Sequence, residues 1–238
     1  DGEEMNVVVP TGNFGNILAA FYAKNMGVPI AKLICASNEN KVLFDFFETG
    51  TYDKNREFVL TSSPSMDILI SSNLERLIYL IAGEDSERTK ALMAGLKDGG
   101  SYGITDDMRQ RLADFAAGYA TEEETAGCIR SVFEKTGYVM DTHTAVAAHV
   151  CGQYRSKSKD TRKCVVASTA SPFKFVKSVM TAIDDKYKPE DEFTLLEELR
   201  KVSGVDMPQA IRDILNAEVL HTKECDADKM KDIVNGFL

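Results

Sequence analysis

One stretch near the start limits what this chain can fold into: Asn6-Val7-Val8-Val9-Pro10-Thr11-Gly12-Asn13-Phe14-Gly15-Asn16, followed by Ile17-Leu18-Ala19-Ala20-Phe21-Tyr22-Ala23. The run of β-branched residues reads as a buried strand. A Gly/Asn turn follows it, and then a small, apolar, helix-forming run. Strand, glycine loop and helix N-terminus in that order make a place to hold a phosphate. Glycine lets backbone N–H groups approach an anion closely, and the first helical turn leaves donors unpaired with a favourable dipole.

The segments that follow repeat the pattern. A helix is expected over about Asn16 to Met26, ending near Gly27 with Pro29 beyond it. Ile30 to Cys35 reads as a second strand. The next helix, capped by Asn38 or Ser37, carries Val42, Leu43, Phe46 and Phe47 on one face and stops at Gly50. Strand, helix, strand, helix with short connections implies a parallel sheet with right-handed crossovers.

Phe58 to Pro64 reads as loop or short strand. Ser72 or Asn73 begins a helix with Leu74, Leu77, Ile78 and Ile81 at helical spacing, and another runs from about Ser86 to Lys97 before Gly99-Gly100. Thr105 is expected to cap a helix carrying Met108, Leu112 and Phe115. Thr121-Glu122-Glu123-Glu124 is a capping box for a helix running to Lys135. Another helix begins near Thr142 to Thr144. Lys163 to Ala167 is a late strand, followed by a Ser/Thr turn and a helix starting at Pro172. Past the polar segment 184–191, helices are expected at Phe193–Val202, Pro208–Asn216 and Ala227–Leu238. The expected fold class is α/β, a parallel sheet flanked by helices over residues 1–183, with a helical C-terminal extension over 184–238.

Composition excludes several functions. With 238 residues, 44% hydrophobic and 27% charged, the chain can bury a sizeable core. Its net charge of −9 argues against a nucleic-acid surface, which needs a basic patch. No apolar run approaches membrane-spanning length, and the opening residues do not read as a signal peptide. Cys35, Cys128, Cys151, Cys164 and Cys225 are odd in number and form no Cys-x-x-Cys pair, so reduced thiols in a cytoplasmic protein are expected. The sequence opens at Asp1 and enters what reads as a central strand within a few residues. A parallel strand there normally has something before it, so an N-terminal part of a larger protein is expected to be missing.

Three places can carry chemistry. The loop Thr11 to Asn16 is no Walker A loop, because no Gly-Lys-Ser/Thr follows, and it lacks the third glycine of a dinucleotide fingerprint. The plain alternative is a structural turn; Asn13 and Asn16, flanking Phe-Gly with amides that can donate to an anion, favour function. Ala167-Ser168-Thr169-Ala170-Ser171-Pro172 sets hydroxyls at the carboxyl end of a strand, where ligands of α/β sheets bind. Taken alone it reads as an ordinary N-cap with Pro at N1. Asp141-Thr142-His143-Thr144 is the third. His143, His149 and His221 are too few and too poorly spaced for a histidine metal site, so no metal ligand is expected. On its own, His143 reads as a first-turn residue that hydrogen-bonds locally. No Gly-x-Ser-x-Gly elbow occurs.

Taken together, Val9-Pro10-Thr11-Gly12-Asn13-Phe14-Gly15-Asn16, Ser65-Met66-Asp67-Ile68 with Ser71-Ser72-Asn73-Leu74-Glu75-Arg76, Asp141-Thr142-His143-Thr144-Ala145 and Ser168-Thr169-Ala170-Ser171-Pro172-Phe173-Lys174-Phe175 resemble threonine synthases, in that family's order. The resemblance spans Asn6 to about Lys177. It implies the large domain of a fold-type-II pyridoxal-phosphate (PLP) enzyme, and a parent protein that converts O-phosphohomoserine and water to threonine and phosphate. It assigns the cofactor phosphate to Gly12, Asn13, Phe14, Gly15 and Asn16, and the hydroxyl facing the pyridine nitrogen to Thr169. A neutral hydroxyl there does not enforce a protonated pyridinium as a carboxylate would.

The chain departs from the family pattern in three ways. Ser171 stands where the family commonly has His, and Thr142 where it has Pro. The family's Schiff-base lysine lies upstream of the glycine loop in a Phe-Lys-Asp segment, and no Phe-Lys-Asp occurs here. Lys174 belongs to a different motif and is not expected to replace it. The chain by itself is therefore expected to hold no catalytic residue and to be inactive, its partner being the missing N-terminal half. Another fold-type-II enzyme of serine or threonine metabolism, or a catalytically silent threonine-synthase-like binding protein, is the alternative.

Overall fold

In the computed structural model, which describes residues 2–237, the opening β-branched run forms one of the two interior strands of a parallel sheet. Strand β1 (Met5–Pro10) is followed by α1 (Gly15–Asn25), β2 (Ile30–Ser37) and α2 (Val42–Thr49). Next come β3 (Thr51–Asp53), α3 (Leu74–Ile81), α4 (Ser86–Gly99), β4 (Ser101–Gly103), α5 (Asp106–Gln110) and β5 (Phe115–Tyr119). Then follow α6 (Glu122–Thr136), α7 (Thr142–Ser158), β6 (Lys163–Val166), α8 (Val176–Ile183) and α9 (Glu192–Ser203), and finally α10 (Gln209–Leu215) and α11 (Met230–Asn235). The main sheet has the order β5-β2-β1-β6, all parallel, with Val7 opposite Leu33 on one side and Val165 on the other.

Helices cover both faces of this sheet, which is why its interior strands are apolar at successive positions rather than alternately. Val8 and Ile34 turn to one face and pack with Val146, Ala147 and Val150 of α7. Val9, Leu33 and Cys35 turn to the other and pack with Ile17 and Leu18 of α1, Leu43 and Phe46 of α2, and Leu77 of α3. A second, antiparallel pair, β3 with β4, sets Tyr52 opposite Tyr102 with rings stacked 5.4 Å apart. The Tyr52 hydroxyl donates to Leu69 O at 3.0 Å and accepts from Ser71 N at 2.7 Å, tying the pair to the segment before α3. Burial pushes this phenol up to about 12, so it keeps its proton at every ordinary pH.

The expected α/β architecture with a parallel sheet flanked by helices is present, and most of its elements lie where periodicity put them. Thr121 and Glu124 form the reciprocal capping box of α6. Three local expectations need correction. Phe115 does not continue a helix from Met108; α5 ends at Gln110 and Phe115 opens the edge strand β5. Phe-Ala-Ala-Gly-Tyr has little strand propensity, but Gly118 sits where α7 crosses the strand, and a Cβ there would lie 2.7 Å from Val150 Cγ1. Close packing and pairing with β2 override local preference. Neither Ser37 nor Asn38 caps α2, whose N-cap position is Lys41 without a side-chain cap. The helix at Pro172 begins as a 3-10 turn, Pro172–Phe175, before α8.

The chain divides into two compact units, Asp1–Val205 and Asp206–Leu238. Leu195, Leu196 and Leu199 of α9 are buried and α9 packs on α8, so the first unit runs past the 183/184 division read from the sequence. The second unit holds α10, a 3-10 turn at Ala227–Lys229 and α11, without buried residues on these elements. Asp1 and Leu238, expected as the ends of the domain and of the last helix, lie outside the described residues. No helix among the described residues is long and apolar enough to cross a membrane.

The glycines make a test of this packing. Gly118→Val should destabilise the chain by about 2 kcal/mol through overpacking against α7. Gly127, exposed in α6 with nothing near its absent Cβ, should gain about 0.5–1 kcal/mol on replacement by Ala. Urea unfolding measures both; equal effects at the two sites would contradict the assigned contact between β5 and α7.

Candidate functional site

Where β1 ends, the Thr11 N–H donates to Ala36 O at 2.8 Å and the Thr11 hydroxyl to Val9 O at 2.7 Å, and the chain leaves the sheet. Gly12 then passes so close to the neighbouring loop that an added Cβ would lie 2.6 Å from Ser65 O and 3.2 Å from Met66 Cα. Only glycine fits without moving backbone. Phe14 takes the left-handed conformation at φ 65°, which costs a non-glycine residue about 1–2 kcal/mol. Its ring is buried 6.2 Å from Phe47 and 6.1 Å from Phe115, and that burial offsets the strain.

The loop is held by its carbonyls. Gly12 O accepts from the Ser71 hydroxyl at 2.7 Å, and Asn13 O accepts from Asn73 Nδ2 at 2.8 Å and Asn73 N at 3.2 Å. In a trans peptide the N–H points opposite to the C=O, so the Asn13 and Phe14 N–H groups face away from the Ser71–Asn73 segment. Phe14 is the N-cap of α1 and gives no side-chain cap. No acceptor among the described residues takes the N–H groups of residues 12–17. These donors sit at the positive end of α1, the arrangement that binds phosphate.

A cavity of about 280 Å³ opens beside them. Its walls are Val9 to Asn16, Ser65, Met66, His143, Thr169, Ala170 and Lys174. All six residues singled out from the sequence, Gly12, Asn13, Phe14, Gly15, Asn16 and Thr169, line this one space, brought together from the ends of β1 and β6. Larger grooves exist, including one of about 790 Å³ around α3 and α4. Size is a poorer guide here than the convergent unpaired donors, which the smaller cavity has.

Thr142 and Ser171 do not line the cavity. Thr142 donates its hydroxyl to Ser62 O at 2.7 Å, and Ser171 caps the 3-10 turn by accepting from Phe173 N at 3.3 Å. Behind the wall, Asp141 caps α7 with a fully buried carboxylate. Burial alone would raise its pKa; donors from His143 and Thr144, side chain and backbone, outweigh this and hold the carboxyl below the usual carboxylate range.

Sequence reasoning missed the residues that shape the opposite loop. Asn38 Nδ2 donates to Asp67 Oδ1 at 2.7 Å, Asn40 Nδ2 to the same oxygen at 3.0 Å, and Thr61 N to Asp67 Oδ2 at 2.9 Å. Asn38 and Asn40 are buried, and this network folds residues 59–67 back so that Ser65 and Met66 reach Gly12. The signal was an Asn-x-Asn at a strand end, which reads more simply as a helix cap. Among the described residues no group of three or more His, Cys, Asp or Glu gathers as a metal site.

The donor set fits a phosphate, and two measurements follow from it. Gly12→Ala should weaken binding of inorganic phosphate, followed by 31P NMR, by about tenfold, because the loop must shift off Ser65. Asp141→Asn should lower stability at neutral pH by about 2 kcal/mol. A depressed folded-state pKa gives stability that is full above the unfolded value of about 4 and is lost as pH falls through the folded value. The gap between wild type and Asp141→Asn should therefore narrow on acidification; a gap that widens would refute the assignment.

Residues 144–233 match the family model described as threonine synthase, C-terminal. The chain is 44% identical over 187 residues to "Threonine synthase-like 1" of Homo sapiens, covering 78% of this chain and 25% of that protein. Among solved structures, the threonine synthase from yeast is similar with a TM-score of 0.82 and 29% identity, over 99% of this chain and 47% of that one. The PLP-bound threonine synthase from Brucella melitensis is similar with a TM-score of 0.72 and 36% identity, over 85% of this chain and 47% of that one. The chain thus spans from a quarter to just under half of the length of these relatives. By family model, by sequence and by fold, this chain is related to the C-terminal portion of threonine synthases.

Proposed function

We propose that this chain is the cofactor-bearing portion of a threonine synthase whose whole protein converts O-phosphohomoserine and water to threonine and phosphate. The observation that carries the reading is the row of N–H groups from Gly12 to Asn16, without an acceptor among the described residues, on residues that line the same cavity as Thr169. In this reading the N–H groups and the Asn13 and Asn16 amides hold the phosphate of pyridoxal phosphate. The Thr169 hydroxyl meets the pyridine nitrogen as a neutral partner. PLP, when bound, supplies the electron-withdrawing ring that lets an amino-acid substrate give up its protons. Phe14 and Phe115 keep the floor of the loop apolar and dry, which strengthens the N–H to phosphate interaction.

The lysine that carries the cofactor in this family is absent from the motif positions present here, so the reaction needs the N-terminal half of the protein. That half is the proposed partner of this chain, and a cytoplasmic location goes with the reading. The 44% identity to a protein named "Threonine synthase-like 1" favours a second reading, a threonine-synthase-like protein that binds the cofactor without this turnover.

Two measurements separate these readings from each other and from a wrong site. The chain mixed with pyridoxal phosphate should bind it through the phosphate and yield no borohydride-fixed adduct at a single defined lysine. An adduct confined to Lys174, found by peptide mass spectrometry, would overturn the claim that the reactive lysine lies elsewhere. The full-length protein should release phosphate from O-phosphohomoserine; binding without release selects the second reading.

A further inference from the structure

The cavity has two side walls from distant parts of the chain, and both are fastened to one buried carboxylate. On one side His143 Nδ1 lies 3.2 Å from Asp141 Oδ1, and His143 Nε2 accepts the Ser65 N–H at 3.2 Å. Accepting at Nε2 leaves the ring proton on Nδ1, where it donates to Asp141. Ser65 is the residue whose carbonyl crowds Gly12. On the other side the Thr144 hydroxyl donates to Asp141 Oδ2 and lies 3.3 Å from Ser168 Oγ. The Thr144 hydroxyl thus sits between the Asp141 carboxylate and Ser168 Oγ, within hydrogen-bond distance of both. Ser168 directly precedes Thr169.

We propose that Asp141 is a positioning residue that sets the width of the cavity, holding the Ser65 wall through His143 and the Thr169 wall through Thr144. The proposal rests on the reading of this cavity as the site of a phosphorylated pyridoxal cofactor. It goes further in naming what fixes the distance between the phosphate cradle and the hydroxyl opposite. Neither His143 nor Thr144 is a mere first-turn residue in this account. Both convert the rigid N-terminus of α7 into a spacer between two loops that share no direct hydrogen bond among the described residues. His143 also packs its ring 4.8 Å from Phe175, so loss of its shape and loss of its acceptor must be told apart.

The test uses the full chain and pyridoxine 5′-phosphate, which has the ring and phosphate but no aldehyde. Four variants separate the arms. His143→Leu fills the volume without an acceptor, and His143→Gln restores an oxygen that can reach the Ser65 N–H. Thr144→Val removes the hydroxyl, and Thr144→Ser restores it. In the unliganded chain, His143→Leu should speed hydrogen exchange at the Ser65 amide by about tenfold and leave the Thr169 signals in place. Thr144→Val should shift the Thr169 signals and leave Ser65 exchange unchanged. Each should weaken pyridoxine 5′-phosphate by about tenfold, measured by calorimetry, with recovery in His143→Gln and Thr144→Ser. Unchanged affinity in both His143→Leu and Thr144→Val overturns the proposal, as does failure of the conservative variants to recover it. If both walls respond as expected but wild type does not bind pyridoxine 5′-phosphate, the spacer stands and the cofactor reading falls.

Discussion

The site depends on which way two peptide groups face. Ser71 and Asn73 take the carbonyls of Gly12 and Asn13, and planarity of the trans peptide then turns the following N–H groups the other way. The helix that follows adds its own unpaired N–H groups and its dipole. Ser71 is in turn placed by the Tyr52 hydroxyl, a group fixed by stacking on Tyr102 in the small antiparallel pair. A distant aromatic contact thus reaches the site through two hydrogen bonds, without either tyrosine lining the cavity.

The same groups serve stability and geometry, and their energies pull in different directions. Phe14 accepts an unfavourable backbone conformation and recovers the difference by burying its ring. Asn38, Asn40 and Asp67 remove polar atoms from water, a loss compensated only because each finds several partners. Such a network has one satisfied arrangement, so the loop at residues 59–67 has one shape. An apolar loop of the same length would fold as tightly but would not specify where Ser65 stops. Rigidity at the wall of a small cavity is obtained from polar groups for this reason.

The architecture was legible in the sequence because its signals are local. Val7 to Val9, the capping box at Thr121 and Glu124, and the leucine spacing from Leu74 to Ile81 each state an element without reference to the rest. The resemblance supplied the site residues, and the cavity gathers all of them. What failed to show was decided by contacts between elements. Phe115 looks like the last apolar residue of a helix until the strand it opens is packed by α7 at Gly118. Asn38 looks like a cap until Asp67, 29 positions later, claims its amide. His143 looked like a local residue because its partner Ser65 lies 78 positions away. No window of neighbouring residues contains that information, since it arises only when the loop is laid against α7.

The two glycines of the loop differ in a way that bears on what the cavity is for. Gly12 is required by the chain itself, because any side chain there strikes the Ser65 carbonyl. Gly15 is not. It opens α1 without a positive φ, and an added Cβ would meet only Asn73 Nδ2, at an ordinary 3.5 Å. Helix formation itself disfavours glycine at that position relative to alanine. A residue that the fold neither needs nor prefers fits the proposed reading, in which something outside the chain must come close to the backbone. In the proposed reading a phosphate drawn onto the N–H groups of residues 14–16 is such a thing, and the same reading accounts for fewer glycines here than in a dinucleotide site. There one glycine serves the turn, one the pyrophosphate and one helix–strand packing; here the left-handed Phe14 makes the turn and Gly12 serves packing, and the proposed reading gives Gly15 to the ligand.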